Sequence, residues 1–272
     1  MKYYLLATIS FFNLLMGSFI TMLVYRLPLI LQRQWQKEHQ QFLSEEESND
    51  LEQKFNIFLP FSHCPNCQQN LTILQKIPLL SYFFLKGKCA HCQRKISFRY
   101  PLIEILTLLC SLFVIERFGF NLQMLAGLIL TWGLLTLAFI DLEQGILPDS
   151  LVFPLLWLGL ISNLVHLFVS PEAAILGASV AYLSLFTLAK GYQFIIKRET
   201  MGQGDFKCFA LLGAWLGIGA LPYILFIAAF LGSLTGITLC IMKKNSLRES
   251  IAFGPYLAIA AWFVFMCSYP QS

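Results

Sequence analysis

Two aspartates lie where charged loops meet apolar segments of the chain, and they are the first candidates for chemistry. Asp205 follows two glycines in Gly202-Gln-Gly-Asp205-Phe-Lys207, and Asp141 ends an earlier apolar segment. An ionisable side chain at the edge of hydrocarbon is costly, so each position is a functional candidate. Two carboxyl groups held close together do not both ionise, so one can activate water while the other protonates a carbonyl or an amine. That division of roles is the chemistry of aspartyl peptide hydrolysis.

The residues around Asp205 leave its partner open. The glycines would let the backbone approach a substrate strand or a neighbouring helix closely, although a single GxGD sequence also fits an ordinary helix cap. Asp149 follows Leu-Pro, a position that favours a helix N-cap over catalysis. Lys207 either acts on the charge of Asp205 or extends its amine to the membrane interface. The remaining candidate partners are Asp141, Glu143 and Glu104.

Two Cys-x-x-Cys pairs, Cys64-Pro-Asn-Cys67 and Cys89-Ala-His-Cys92, are separated by 21 residues. This spacing is typical of two knuckles that close one tetrahedral zinc site. Four thiolates leave no open coordination position, so the metal would be structural and would replace the core that a small subdomain lacks. Two disulfides are the alternative, which a reducing cytoplasmic location disfavours. His63 and His91 flank the cysteines and could substitute as ligands, whereas the other four cysteines fit apolar packing.

The composition describes the environment of these residues. The 272 residues are 57% hydrophobic and 12% charged, with a mean hydropathy of +0.66, and so few charges cannot cover a soluble globule. We expect an all-α polytopic membrane protein, and the charge pattern does not indicate nucleic-acid binding. The predicted domains are a first transmembrane helix at 1–25, a zinc-bound cytoplasmic subdomain at 26–100 and a membrane domain at 101–272. About eight transmembrane helices are predicted, at 3–25, 102–116, 121–140, 149–169, 173–196, 206–220, 222–241 and 251–268.

The placement of basic residues orients these segments. If the subdomain is cytoplasmic, Lys2 and Arg117 lie outside, and the other seventeen of the nineteen Lys and Arg residues lie inside. Both termini then lie outside. The two loops that carry Asp141 and Asp205 open on the same cytoplasmic face.

Several motifs in this order resemble those of the bacterial type IV prepilin peptidases, over nearly the whole chain. Gly17-Ser-Phe19 with Arg26-Leu-Pro28 is similar to the family's first-helix motif, although Thr21 stands where asparagine is usual. The cysteine pairs bracket Ile77-Pro-Leu-Leu-Ser-Tyr82 and precede Ile96-Ser-Phe-Arg-Tyr-Pro-Leu-Ile-Glu104, as in the family. The other matching motifs are Ile140-Asp141 with Leu147-Pro-Asp149, Gly202-Gln-Gly-Asp205-Phe-Lys207 and Phe253-Gly-Pro-Tyr256.

The resemblance implies that Asp141 and Asp205 are a catalytic pair in the bacterial inner membrane. The substrates would be prepilins and pseudopilins, cut at the cytoplasmic face between a short basic leader ending in glycine and an apolar helix. The new N-terminal residue, usually phenylalanine, would then be methylated from S-adenosylmethionine, because the cysteine subdomain resembles that of the bifunctional form. The chain shows no glycine-rich nucleotide loop, so no residue is assigned to the methyl donor.

Two other functions fit parts of the pattern. A GxGD-type intramembrane protease would cut membrane substrates that lack the glycine-ended leader. A transporter would use Asp141 and Asp205 to relay protons or bind a cation, with the cysteine subdomain as a regulatory cap. The cytoplasmic face shared by the subdomain and both acids favours the peptidase, with membrane lipid as the other expected partner. The sequence predicts no particular oligomeric state.

Overall fold

The computed structural model describes residues 2–43, 64, 66–70, 72, 78–197, 202–242 and 252–268. Regular structure in these ranges is helical, apart from an isolated antiparallel bridge between Lys88 and Lys95, and the predicted all-α fold class is confirmed. The helices are α1 (Lys2–Leu43), α2 (Leu80–Phe84), α3 (Arg99–Phe118), α4 (Leu122–Gln144), α5 (Asp149–Leu164), α6 (Pro171–Ile196), α7 (Gln203–Leu216), a short 3-10 helix (Ile218–Ala220), α8 (Leu221–Ile241) and α9 (Gly254–Ser268).

Four of the described helices, α1, α4, α6 and α8, are long and apolar enough to cross a membrane. Helices α5 and α9 are apolar but shorter, with 16 and 15 residues. Each of the eight predicted apolar segments overlaps one of the helices α1 and α3 to α9. The structure therefore supports a multi-pass membrane protein with four candidate spans in its described part. These spans are Thr8–His39, Leu122–Gln144, Pro171–Ile195 and Ile218–Ile241.

Helix α1 continues well past the apolar segment predicted at 3–25, because it ends only at Leu43. Arg26 is buried, and Pro28 lies inside the helix without ending it. The residues that follow are rich in Gln and Leu, which are good helix formers. The change of composition after residue 25 therefore marks the start of a charged stretch of helix rather than a helix end.

The chain divides into two compact units, residues 1–112 and 113–272, and α3 begins in the first unit and ends in the second. In the first unit α1 packs closely against α3, since a Cβ at Gly17 would lie 3.0 Å from the Cα of Glu104. Thr21 donates its hydroxyl to the carbonyl of Gly17 at 2.7 Å, so its side chain forms a hydrogen bond within α1 itself. The predicted cysteine subdomain also falls in the first unit, and its residues 44–63 lie outside the described part.

Helix α7 lies in the core of the second unit. Every residue from Cys208 to Leu216 is buried, and α7 packs most extensively against α6 and α5. Gly177 of α6 and Gly213 of α7 allow the two backbones to touch, because a Cβ at Gly177 would lie 2.5 Å from the Gly213 carbonyl oxygen. Small residues permit such close packing between membrane helices. Helix α9 packs against α4, α8 and α7 in the same unit.

A buried asparagine anchors the C-terminal end of α7. The side-chain amide of Asn163, in α5, donates to the carbonyls of Ala214 at 2.8 Å and Trp215 at 3.1 Å. Its carbonyl oxygen accepts two backbone N–H groups from the connection between α5 and α6. The indole of Trp215 donates in turn to the carbonyl of Leu155 at 2.8 Å. These bonds satisfy backbone groups that would be costly to bury unpaired, and they fix the register of α7 against α5.

Candidate active site and metal centre

Asp205 lies in the first turn of α7, which begins after Gly202. Its N–H donates to the carbonyl of Gly202 at 3.2 Å, and its side chain is half-buried. The positive end of the helix dipole favours a carboxylate at this position. Because the other end of α7 is anchored by Asn163, the helix presents Asp205 at a defined place.

Asp141 lies in the last turn of α4, and only 5% of it is exposed. Its Oδ2 accepts the N–H of Gly254, the first residue of α9, at 2.9 Å. A Cβ at Gly254 would lie 2.6 Å from that same oxygen, so glycine is required to leave the carboxylate in place. The packing of α9 against α4 therefore holds Asp141 through a backbone hydrogen bond.

Asp141 and Asp205 lie 64 positions apart in the sequence, and both belong to the second unit. Their carboxyl groups are close enough for the charge of Asp141 to act on Asp205. Both charges also act on the buried thiol of Cys208, one turn further along α7. A carboxyl pair with little access to water titrates as a unit and shares a proton. Two carboxyl groups that share a proton in this way could supply one acid and one base.

The two glycines before Asp205 have different surroundings. A Cβ at Gly204 would lie 2.9 Å from the Cβ of Leu147, which belongs to the connection between α4 and α5. A Cβ at Gly202 would meet nothing closer than the Oδ2 of Asp205, at an ordinary 3.6 Å. The close approach expected of both glycines is thus present at Gly204. It brings the segment after Asp141 against the segment that carries Asp205.

Lys207 forms an ion pair with Asp149. Its Nζ donates to the two carboxylate oxygens of Asp149 at 2.9 and 2.8 Å. The N-cap of α5 is Pro148 and Asp149 is the first helical residue, so the N-cap prediction for Asp149 is wrong by one position. The extended backbone of Pro148 starts the helix, and the dipole of α5 still favours the carboxylate in its first turn. The ion pair joins the start of α5 to the start of α7.

The glutamates considered as alternative partners occupy other places. Glu104 lies in the first unit, where its carboxylate accepts the N–H of Leu79 at 2.8 Å and a hydrogen bond from Ser18. Glu143 is half-buried in the last turn of α4, two residues after Asp141. The carboxyl group whose charge acts on Asp205 is that of Asp141. The geometry therefore favours Asp141 as the partner.

The four cysteines of the two Cys-x-x-Cys pairs converge, with their sulfurs all within 4.8 Å of one another. The Sγ atoms of Cys64 and Cys92 are 3.8 Å apart, and those of Cys67 and Cys89 are 4.0 Å apart. Four sulfurs at about 2.3 Å from a tetrahedral zinc ion would lie about 3.8 Å from one another. The donor set and its spacing therefore fit a metal such as zinc. The distances are far longer than the roughly 2 Å of a disulfide bond.

The two knuckles share one backbone geometry. In each, the N–H of the first cysteine donates to the carbonyl five residues later, and the N–H four residues later donates back to that cysteine's carbonyl. The residue in this fourth position is Gln68 or Gln93, and both adopt a left-handed backbone, with φ of 56° and 57°. His91 is exposed and His63 lies outside the described residues, so the cluster is built from cysteines. Matched turns of this kind place four thiol groups around one centre.

Hydrogen-bond donors stabilise thiolates in this cluster. The N–H of Arg94 first, and the side chain of Asn66 second, lower the pKa of Cys92 to about 6. Backbone N–H groups of its own turn also lower the pKa of Cys64. At Cys67 one backbone N–H lowers the pKa, but desolvation and the neighbouring sulfurs raise it to about 11. A bound metal would require all four cysteines as thiolates and would balance their charge.

These features define a helical membrane protein that combines a carboxyl pair with a four-cysteine centre. Residues 11–118 match the model of the bacterial peptidase A24 N-terminal domain, and residues 128–237 match that of the type IV leader peptidase family. The chain belongs to this family, and the resemblance seen in its motifs is confirmed.

Among its relatives is the prepilin leader peptidase/N-methyltransferase of Aeromonas hydrophila. It is 43% identical over 255 residues, which cover 94% of this chain and 88% of the relative. Proteins of the same name from Stutzerimonas stutzeri and Pseudomonas aeruginosa are 45% and 42% identical. Those matches cover 92% and 93% of this chain, and 86% and 87% of the relatives. No solved structure matches the chain.

Two contributors to the site cannot be recognised from their sequence positions. Gly254 stands in a motif near the end of the chain and bonds Asp141 across 113 positions. Lys207 lies two residues after Asp205 but pairs with Asp149 across 58 positions. Helix packing brings each of these residues to its partner, so the residues next to it in the sequence do not indicate which partner it has. The Gly-Pro step at the start of the last apolar segment is the one available sign of a close approach there.

Proposed function

We propose that this chain removes the short basic leader from prepilins and pseudopilins at the cytoplasmic face of the bacterial inner membrane, and then N-methylates the new N-terminus. The observation that supports the proposal is the electrostatic influence of the Asp141 carboxyl group on that of Asp205. It occurs in a chain that is 43% identical, over 94% of its length, to a relative named for both activities.

The carboxyl pair supplies the base and the acid for peptide hydrolysis. The ionised carboxyl takes a proton from a water molecule, whose oxygen attacks the carbonyl carbon of the leader's final glycine. The protonated carboxyl donates to the carbonyl oxygen as negative charge develops there. The C–N bond then breaks as a proton passes to the leaving amine. As the carbonyl re-forms, a hydroxyl of the tetrahedral diol returns its proton to the pair. The pair thus takes one proton from water and one from the diol, and gives one to the carbonyl oxygen and one to the amine, so it ends with the single proton it began with.

The four cysteines are assigned to a structural zinc ion. Cys64, Cys67, Cys89 and Cys92 fill all four positions of a tetrahedral site, so no position remains for water or substrate. When bound, the ion would fix the fold of its subdomain and take no part in hydrolysis. The support for this assignment is the donor set and the spacing of the sulfurs.

S-adenosylmethionine is the proposed methyl donor. Its methyl group would pass from the sulfonium to the amine nitrogen that cleavage exposes, with loss of a proton from nitrogen and release of S-adenosylhomocysteine. The support is the name shared by the relatives, which includes an N-methyltransferase activity.

The proposed topology has eight transmembrane helices and both termini in the periplasm. The four shorter helices α3, α5, α7 and α9 would join the four long spans. The placement of seventeen of the nineteen basic residues on one side supports this orientation.

The substitutions Asp141→Asn and Asp205→Asn test the proposed peptidase directly. Asparagine keeps the size of the side chain and, at 141, an oxygen for the Gly254 N–H, but it cannot exchange a proton. Each variant, reconstituted in vesicles with a prepilin, should lose leader cleavage by about 10³-fold or more. Mass measurement of the pilin product gives the rate. Normal cleavage by either variant would refute the assignment.

Methyl transfer provides the fold control in the same vesicles. Both variants should still transfer a labelled methyl group from S-adenosylmethionine to a pilin that already lacks its leader, because that step does not need the carboxyl pair. Glu172→Gln is a matched control for the charge change, since Glu172 lies in the exposed first turn of α6. It should cleave at the normal rate.

A further inference from the structure

The start of the short helix α2 is held beside the helices α1 and α3. The N–H of Leu79, the residue before α2, donates to the carboxylate of Glu104 at 2.8 Å. Glu104 lies five residues after the start of α3 at Arg99, about 7 to 8 Å along the helix. Glu104 also packs against Gly17, which lies in the apolar part of α1, nine residues before Arg26. The start of α2 is therefore held beside apolar stretches of both helices.

The hydrogen bond between Leu79 and Glu104 occurs at a residue with an unusual backbone conformation. Leu79 adopts a positive φ of 56° with ψ of −50°, a backbone conformation that leucine rarely takes. The adjacent Pro78 is buried. The hydrogen bond to Glu104 holds this conformation and turns the chain into α2.

Helix α2 presents aromatic side chains outward at this level. Phe83 and Phe84 are 71% and 82% exposed, and they lie in the short helix whose start is bonded to Glu104. The other side of α2 packs on its own subdomain, because Tyr82 contacts Gly87 and accepts its N–H. The two phenylalanines are thus directed away from the subdomain. Aromatic residues in such positions favour the boundary between headgroups and acyl chains.

The charged residues that follow these phenylalanines in the sequence have one sign. Lys86, Lys88, Arg94 and Lys95 are exposed in the segment that follows α2. No aspartate or glutamate occurs from residue 53 to residue 103. A basic surface beside exposed aromatics is complementary to anionic phospholipids. The same surface would repel the basic leader proposed for the substrate, so a lipid leaflet is the better occupant.

We propose that α2 and the turn after it form an interfacial anchor for the cysteine subdomain. Phe83 and Phe84 insert below the headgroups of the adjacent leaflet, and Lys86 and Lys88 bind the phosphates of anionic phospholipids. The anchor depends on the membrane location of α1 and α3 and is independent of the peptidase activity. It keeps the metal-bound knuckles at the membrane surface.

Photo-crosslinking tests this anchor on the full chain. The chain carries p-benzoylphenylalanine in place of Phe84, is reconstituted in vesicles of phosphatidylethanolamine and phosphatidylglycerol, and is irradiated. The intact mass should rise by one phospholipid, with a yield at least about fivefold above that of a matched chain carrying the probe in place of His91, exposed on the second knuckle. Retained metal content shows that both chains keep their subdomain. Equal yields, or no lipid adduct at position 84, would overturn the proposal.

Two further measurements distinguish a lipid leaflet from a prepilin as the partner of this surface. With Lys86→Glu and Lys88→Glu combined, the preference for adducts with phosphatidylglycerol over phosphatidylethanolamine in the same vesicles should fall several-fold. An unchanged preference would overturn the assignment of these lysines. If a co-reconstituted prepilin replaces lipid as the adduct at position 84, the surface is a substrate dock and the lipid anchor is refuted.

Discussion

Gly204 lies against Leu147 with no room for a side chain, whereas Gly202 has space for a methyl group. Gly204→Ala must push α7 away from the connection after Asp141, and a shift of about 1 Å in a catalytic group can cost about 100-fold. We expect Gly204→Ala to lower the rate of leader cleavage by about 10- to 100-fold. Gly202→Ala should stay within about twofold, since its φ of −68° and ψ of 144° suit alanine. Equal rates for the two variants, measured on one prepilin, would contradict this account.

Gly254 donates its N–H to Asp141, and its lack of a side chain leaves room for the Asp141 carboxylate. In Gly254→Ala the new Cβ would lie 2.6 Å from the Asp141 Oδ2, so the carboxylate must move and lose its hydrogen bond. Leader cleavage should fall by about 100-fold, while methylation of a pre-cleaved pilin persists. The control is Gly232→Ala in α8, where a Cβ would lie at an ordinary 3.6 Å from the ring of Tyr256. Full cleavage by Gly254→Ala would show that this contact does not position Asp141.

At the scale of helices, α5 and α7 are joined at their N-terminal ends by the ion pair of Asp149 and Lys207. The side chain of Lys207 is 23% exposed and that of Asp149 is 54% exposed, so the pair adds only about 0 to 1 kcal/mol to stability. Its position matters more, because Lys207 lies two residues after Asp205 and the pair limits the movement of that turn.

A double-mutant cycle tests this positioning role. Lys207→Met and Asp149→Asn should each lower kcat for leader cleavage by about 3- to 10-fold with little change in KM, and the double variant should be no slower than either one. Thermal unfolding in detergent should shift little. Lys190→Met is the matched control, because Lys190 bonds only its helical neighbour Gln193 at 3.0 Å and is remote in sequence from Asp149. Multiplied losses in the double variant would show that the two residues act separately.

At the scale of the whole molecule, the four-cysteine centre belongs to the first unit and the carboxyl pair to the second. The purified protein should contain about one zinc ion per chain, and Cys64→Ser should release most of it because three thiolates bind far more weakly than four. Proteolysis of the segment around residues 64–95 should then accelerate. Cys267→Ser, at an exposed cysteine outside the cluster, should keep the metal. Metal-free wild-type protein would refute the zinc assignment.

The amino-acid sequence determined the features that depend on composition or on short spacings. Its hydropathy predicts helices for a membrane, since hydrocarbon leaves the backbone no other partner for its hydrogen bonds. Two Cys-x-x-Cys pairs predict one metal site, because a knuckle is a local turn that places its own thiols. The order of motifs predicts the family. Each of these follows from residues close together in the chain.

The tertiary structure alone decided which distant residues meet. Several acids were candidate partners of Asp205, and only the packing of α4, α7 and α9 brings Asp141 to it. Packing also makes Gly254 a hydrogen-bond donor to Asp141 and separates the roles of Gly202 and Gly204. Contacts between helices are the sum of many weak interactions along whole faces. No single residue encodes them, so the sequence supplies the candidate carboxyl groups, and helix packing decides which residues surround each of them.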